Sequence, residues 1–473
     1  MRKIATLKTS AEFGSYIKSL NIDLPYDEKV DSAPNSPLAA LYILGDRTIG
    51  NRFAILPMEG WDSTSDGRPT ELTKRRWQRF GLSGAKLIFG GEAVAVRPDA
   101  RSSTNQLIIS DENVGDIAKL RELLVQTHEE YFGDSNDLMV GLQLTHSGRI
   151  IRQCDMHFRE RKVLYHHPIL DQKQGVTADT PIMTDDEIAR LVEDFTKAAV
   201  LAQLAGYDFV DIKHCHGYLG HEFLSAVDRP GRYGGSFDNR TRFLREVVSS
   251  IRAEAPGLDI AVRLSAFDFL PFRRGEDGVG EPVPFNGDSY PYAFGSDRTG
   301  LDIDLTEPLA FMDLLLSLDI KLVCISAGGG HNIHISSPSS TVFFDTYLPP
   351  EDPLIGVNRL ISVTAELKRQ QPELVYIGSG YSYLQHWLPN VAQFVIRNGF
   401  ADFVGIGKMA LCYPDIVADV LSGRPLKHRL ICRTCGYCGA AARHGIPSGC
   451  YPLDDFYHSR PEYQQLISLS RKK

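Results

Sequence analysis

An α/β fold, specifically a (β/α)8 or TIM barrel, is the architecture this sequence predicts, and three observations carry that expectation. Eight short runs are almost continuously apolar and β-branched, as parallel strands covered on both faces must be. Helical patterns lie between most of them, which is the alternation of a parallel barrel. No GxGxxG follows the first run, which removes the main signature of the competing doubly wound sheet.

The runs are FAIL (53–56), LIFGG (87–91), LMVGLQL (138–144) and FVDIK (209–213), then IAVRLS (260–265), LVCIS (322–326), VYIGS (375–379) and FVGIG (403–407). Among the helices, Thr184 and Glu187 form a capping box, Ile188, Leu191, Val192, Phe195 and Ala199 follow at helical spacing, and Gly206 ends the segment. Residues 239–254 and 382–398 read the same way. Residues 1–35 form a polar N-terminal extension with a short helix, 36–425 the barrel, and 426–473 a trailing segment carrying a cysteine cluster. Residues 266–300, rich in Gly, Pro, Asp and aromatics, are a long insertion after the fifth strand, on the face where barrel active sites form.

Composition narrows the function. The 473 residues carry 51 basic and 59 acidic side chains, a net charge of −8, so nothing marks a nucleic-acid or anionic-membrane surface. No apolar run reaches about 18 residues, so no membrane span is expected. The N-terminal stretch has no apolar signal region, and a cytoplasmic protein is expected. Of eight cysteines, Cys154, Cys215, Cys324 and Cys412 are scattered, the last two in apolar runs where a buried thiol is ordinary core. Cys432, Cys435, Cys438 and Cys450 crowd together and read as metal ligands before disulfides.

The residues just past each strand carry the chemistry. Glycine-rich turns follow the seventh and eighth runs (Gly378-Ser379-Gly380 and Gly405-Ile406-Gly407-Lys408), where backbone N–H groups and a lysine suit a phosphate. Gln143 both donates and accepts, which suits the amide edge of a heterocycle. Arg263 ends its strand in the barrel mouth, where a guanidinium needs an anion or an electron-rich ring edge. The stretch DIKHCHGYL (211–219) ends the fourth run; its histidine spacings match no common ligand set, so His214 and His221 are expected to be structural and metal is not expected there.

Over roughly residues 36–425 the chain resembles the Old Yellow Enzyme superfamily, on NRFAILPM (51–58), QLTHSGR (143–149), MTDDEIARLVEDFTKAA (183–199), AGYDFVDIKHCHGYLGHEFL (205–224), RYGGSFDNRTRFLREVV (232–248), VRLS (262–265) and ADFVGIG (401–407). The resemblance implies FMN as cofactor, NAD(P)H as reductant and a small-molecule substrate with an activated C=C bond, an α,β-unsaturated carbonyl or thioester. It implies that Pro57 and Met58 line the flavin, Gln143 meets its pyrimidine edge and Arg263 its N1/O2 side. Gly378, Gly380 and Gly407 would cradle the phosphate, with Lys408 where the family usually has arginine. Gly91 and Glu59 complete the expected contacts, Glu59 standing where Thr or Cys is usual. Tyr218 matches the family's proton donor, and Lys213 and His216 its carbonyl-gripping pair, with lysine replacing the usual histidine.

A further similarity, to the 2,4-dienoyl-CoA reductase branch, pairs Tyr218 with His331 for protonation and implies a [4Fe–4S] cluster on the four clustered cysteines. Their x2, x2, x11 spacing departs from that branch's x2, x3, x11, and structural zinc is the alternative. The branch's FAD- and NADPH-binding module is not expected, so electrons would come directly from NAD(P)H or from an electron-donor protein. The competing functions are a trimethylamine-dehydrogenase-like amine demethylase, with Tyr290, Tyr292 and Phe294 as an aromatic cage, and an FMN and iron–sulfur electron-transfer subunit. Assembly as a homo-oligomer is left open.

Overall fold

A computed structural model describes residues 1–151, 162–336 and 347–471; Cys154 falls outside them, as does the end of GGGHNIHISSP (328–338), the stretch that carries His331. Eight parallel strands close into a barrel: β1 (Phe53–Ile55), β2 (Leu87–Ile88), β3 (Met139–Thr145), β4 (Phe209–His214), β5 (Asp259–Ser265), β6 (Leu322–Ser326), β7 (Val375–Gly378) and β8 (Phe403–Ile406). Val404 pairs with Phe53 and Leu87 with Met139, which completes the ring. A short strand at Ala93–Ala95 pairs with the upper end of β3.

Each predicted run became a strand, with edges trimmed for local reasons. The LIFGG run pairs only at Leu87 and Ile88, because Gly90 and Gly91 take positive φ (97° and 56°) and turn the chain out of the ladder. The 239–254 helix is divided into Phe237–Arg240 and Arg242–Glu254. The 382–398 pattern opens as a 3-10 turn, Tyr381–Trp387, and becomes α-helical at Leu388–Arg397, where Pro389 sits in the first turn and needs no N–H partner. The capping box at Thr184 and Glu187 starts helix Asp185–Leu204 as expected.

Strand alternation divides the interior. Ala54, Leu87, Met139, Phe209, Ala261, Leu322, Val375 and Phe403 fill the barrel as one apolar cluster. Their neighbours, such as Ile55, Val140, Val210, Val262, Val323 and Val404, pack outward under the helices. Above the apolar layer the same inward positions become polar: Gln143 on β3, Asp211 and Lys213 on β4, Arg263 on β5 and Ser326 on β6. Period-two geometry thus places them together at the C-terminal mouth.

Three further segments surround this frame. The N-terminal helix Ser10–Ser19, closed by the Thr9–Glu12 capping box, docks on the barrel through Phe13, whose ring stacks on Trp387 at 4.5 Å and 4°. The 266–300 insertion contains an antiparallel hairpin, Phe272–Arg274 with Gly280–Pro282. The C-terminal segment forms short helices at Tyr437–Arg443, Asp455–His458 and Pro461–Arg471 around Ala440, Tyr451, Tyr457 and Leu466. It is fastened to helix Glu71–Gly81 by a two-pronged Arg75–Asp454 pair at 2.8 and 2.9 Å. No described helix is long and apolar enough to cross a membrane.

Phe13 is fully buried. Phe13→Ala is expected to lower unfolding free energy by about 3 kcal/mol, read from urea denaturation, because the stacked ring leaves a cavity that Trp387 cannot fill.

Candidate functional site

A cavity of about 1070 Å³ opens at the C-terminal mouth. It gathers Pro57, Met58, Glu59, Gln143, Lys213, His216, Tyr218, Arg263, His331, Gly380, Gly407 and Lys408, the majority of the residues singled out from sequence. Gly91 and Gly378 stand behind its wall. Gly91 accepts the Met58 N–H at 2.9 Å, and a Cβ there would meet the Trp77 ring at 2.5 Å. Gly378 ends β7, and its carbonyl lies 2.5 Å from where a Gly405 Cβ would stand.

The polar floor is oriented by a buried carboxyl. Gln143 Nε2 donates to Asp211 Oδ2 at 2.5 Å, which turns the Gln143 amide oxygen away from Asp211 as a fixed acceptor. The other Asp211 oxygen accepts the Arg263 backbone N–H at 2.7 Å. Burial pushes the Asp211 carboxyl up to about 7. Arg263 is itself buried, its Nε has no hydrogen-bond partner, and no described carboxylate forms an ion pair with it. A buried guanidinium that faces a cavity with no described carboxylate partner and an unbonded Nε calls for an electron-rich group within it.

Lys213 and Arg263 are register partners on β4 and β5, two cations side by side. Glu59, on the turn after β1, resolves the conflict for Lys213: its Oε1 takes the ammonium at 2.6 Å, and its Oε2 accepts the Tyr218 hydroxyl at 2.8 Å. The Lys213 ammonium also lies 3.3 Å from the centroid of the Tyr218 ring. Burial and the Glu59 charge hold the Tyr218 hydroxyl well above the ordinary phenol range. Tyr218 is thus held by Glu59, while His331 stands 3.5 Å from Asp268, its imidazole depressed to about 3 by burial. His216 takes a left-handed backbone (φ 60°) and its Nε2 meets Ser326 Oγ at 2.7 Å; burial, then Arg263 and Lys213, keep its ring neutral. His214 and His221 are structural, as expected: His214 Nδ1 bonds the Ile212 carbonyl and His221 Nδ1 accepts the Gly217 N–H.

The glycine turns fit a phosphate. Gly380 has φ 93°, open to glycine alone without strain, and a Cβ on Gly407 would meet only Met58 Sδ at 3.8 Å, so the backbone there faces open space. The adjacent turn is steadied by Ser382 Oγ, which accepts the Met409 N–H at 3.2 Å.

Two expectations do not match the structure. Tyr290, Tyr292 and Phe294 form no cage. Tyr290 bonds His167 Nε2, Tyr292 bonds Asp228, and Phe294 packs edge-on against Phe311, all away from the cavity lining. The expected metal centre finds no support either. Cys432, Cys435, Cys438 and Cys450 do line one small cleft, but among the described residues no group of three or more His, Cys, Asp or Glu is placed to hold a metal ion. Cys412, on the helix after β8, hydrogen-bonds both Cys432 and Cys450, and this contact lowers the Cys432 thiol to about 7.

Sequence reasoning also missed the C-terminal segment's share of the cavity. Thr434, Gly436, Gly439, Arg443 and His444 close one side of it. The segment is held there by Arg76, a buried guanidinium ion-paired to Asp62 and Glu92 that also donates to the Ser448 carbonyl. The glycines around the cysteines were the available signal, and they were absorbed into the metal reading.

Family and fold relationships agree with this geometry. The model of the NADH:flavin oxidoreductase / NADH oxidase family matches residues 42–279. An NADPH dehydrogenase of Bacillus subtilis (strain 168) is 33% identical over 229 residues, 47% of this chain and 62% of that protein. An NADPH dehydrogenase of Bacillus pumilus (strain SAFR-032) is 34% identical over 229 residues, 47% of this chain and 61% of the relative. The chain thus spans less than two thirds of the length of these curated relatives. Among solved structures, a 2-naphthoyl-CoA reductase in complex with 2-naphthoyl-CoA has a TM-score of 0.67 at 15% identity, covering 91% of this chain and 58% of that one. Morphinone reductase has a TM-score of 0.54 at 20% identity, covering 84% and 92%. At these identities the structural likeness is one of fold.

Burial depresses His128, His214 and His221 to about 4, below the ordinary value of about 6.5. Folding thus lowers their proton affinity, so their contribution to stability is whole above pH 6.5 and is lost as pH falls through about 4. Unfolding free energies from urea denaturation are expected to drop between pH 7 and pH 5 by on the order of 2 kcal/mol per such histidine, and His214→Phe should flatten part of that slope.

Proposed function

The chain belongs to the NADH:flavin oxidoreductase / NADH oxidase family, and from that premise we propose that it is an FMN-dependent ene-reductase or desaturase acting on an α,β-unsaturated carbonyl or thioester. The observation that carries this reading is the pairing, in one cavity, of an unpaired buried Arg263 and an oriented Gln143 acceptor with a buried Tyr218 hydroxyl. Arg263 would hold the N1/O2 side of the isoalloxazine, the Gln143 oxygen would accept its N3–H, Pro57 and Met58 would border the ring, and the turns at Gly380 and Gly407 with Lys408 would take the phosphate. Bound there, FMN supplies hydride transfer between a nicotinamide nucleotide and an activated C=C bond. Tyr218 supplies the accompanying proton at the α-carbon.

The carbonyl-gripping role works differently from the family pattern. Lys213 is committed to Glu59 and the Tyr218 ring, and His216 to Ser326. Ser326 and His216, which share one hydrogen bond on the cavity wall, are the donors left to turn toward a substrate oxygen. His331 also lines the cavity, on the turn that pairs through Gly329 with His216, and would be a further substrate contact. The names of the relatives favour NADPH as reductant.

Two measurements test the reading. Arg263→Met should weaken FMN binding by at least about tenfold, roughly 1.4 kcal/mol, in a flavin-fluorescence titration; unchanged affinity would remove the flavin from this cavity. Tyr218→Phe should slow enone-driven reoxidation of the reduced flavin about 100-fold while NADPH still bleaches it. If no enone or acyl thioester reoxidises the wild-type protein, the assigned reaction is wrong.

A further inference from the structure

We propose that Glu59 is the proton port of Tyr218: it relays protons between cavity water and the Tyr218 hydroxyl, with Lys213 as the fixed counter-charge that holds it in place. This deepens the ene-reductase reading and rests on it for the chemistry that Tyr218 performs.

The geometry supports the relay at each joint. Tyr218 is only 7% exposed, at the end of a helix-capping turn, and needs an intermediary to recover a proton from solvent. Its hydroxyl donates to Glu59 Oε2 at 2.8 Å, and Ser102 hydrogen-bonds the Tyr218 hydroxyl oxygen. The Glu59 side chain is 15% exposed and lines the open cavity, so one carboxylate reaches both the phenol and water. Lys213, 4% exposed, takes Glu59 Oε1 at 2.6 Å and sits 3.3 Å from the centre of the phenol ring, where its charge favours a transient phenolate. Ser102 and Cys215 also face Tyr218, and burial pushes the Cys215 thiol up to about 11.

The proton balance closes. As hydride reaches the β-carbon, the Tyr218 O–H bond breaks and its proton bonds to the α-carbon. The phenolate then takes a proton through the Glu59 carboxyl, which takes one from cavity water, so each C=C bond reduced consumes one hydride and one solvent proton. In the direction of C=C formation each step reverses: the Tyr218 oxygen removes the α-proton as its own passes to Glu59. Glu59 acts through Tyr218 and is a positioning and relay residue.

The test needs a readout apart from turnover. Tyrosinate absorbance is followed during alkaline titration of the full-length wild-type protein and of its Glu59→Gln, Glu59→Asp and Tyr218→Phe variants. The Tyr218 ionisation, identified by its loss in Tyr218→Phe, is expected at clearly lower pH in Glu59→Gln, since Lys213 then faces the phenol without a carboxylate. It should stay near its wild-type position in Glu59→Asp. An unchanged titration in Glu59→Gln overturns the relay. In turnover, Glu59→Gln should slow enone-driven reoxidation ten- to a hundred-fold, with Glu59→Asp recovering a large part; equal rates in Glu59→Gln and wild type overturn it as well. Failure of wild type with every enone overturns the reaction assignment instead, and the titration still decides the Glu59–Tyr218 linkage.

Discussion

Lys213 and Arg263 stand side by side on the inner faces of adjacent barrel strands, and the rest of the cavity is organised by how those two cations are accommodated. Like charges in neighbouring register repel, and burial removes the water that would screen them. The two are resolved differently. Lys213 receives an internal partner, Glu59, brought across the barrel from the turn after β1. Among the described residues Arg263 receives no carboxylate partner, and its Nε has no hydrogen-bond partner. Lys213 is thus neutralised within the protein, while the Arg263 guanidinium lines the cavity without such a partner.

Asp211 makes this arrangement rigid. Beneath both cations, it holds Gln143 by one oxygen and the Arg263 backbone by the other, so acceptor and donor groups on β3 and β5 keep a common orientation. The apolar plug below, built on Phe209, Met139, Leu322 and Phe403, excludes water from the floor and strengthens each polar contact above it. Stability and function therefore meet at one level of the barrel, where inward positions change from apolar to polar within a single strand, as in Phe209, Asp211 and Lys213 on β4.

The C-terminal segment contributes a wall where a metal centre was expected. Its cysteines do gather, yet Cys412 reaches them from the helix after β8 and engages two of the four. The same segment delivers Thr434, Arg443 and His444 to the cavity because Arg76, Asp62 and Glu92 pin it to the barrel mouth.

The barrel and much of its site were legible in the sequence because both depend on local order. Strands announce themselves by continuous apolar runs, and the residue just beyond each run must face the mouth of a closed barrel; this placed Gln143, Arg263, Tyr218 and Lys408 without coordinates. What tertiary structure alone decided were the partnerships. That the Tyr218 hydroxyl bonds Glu59, that Lys213 pairs with the same carboxylate, that Cys412 lies beside Cys432 and Cys450 and that Tyr290 and Tyr292 turn into the protein all depend on contacts between residues 60 to more than 150 positions apart, or on a helix reached only after the barrel closes. Sequence spacing carries no distance for such pairs, because each is set by strand register, side-chain direction and the demand that buried charges find partners.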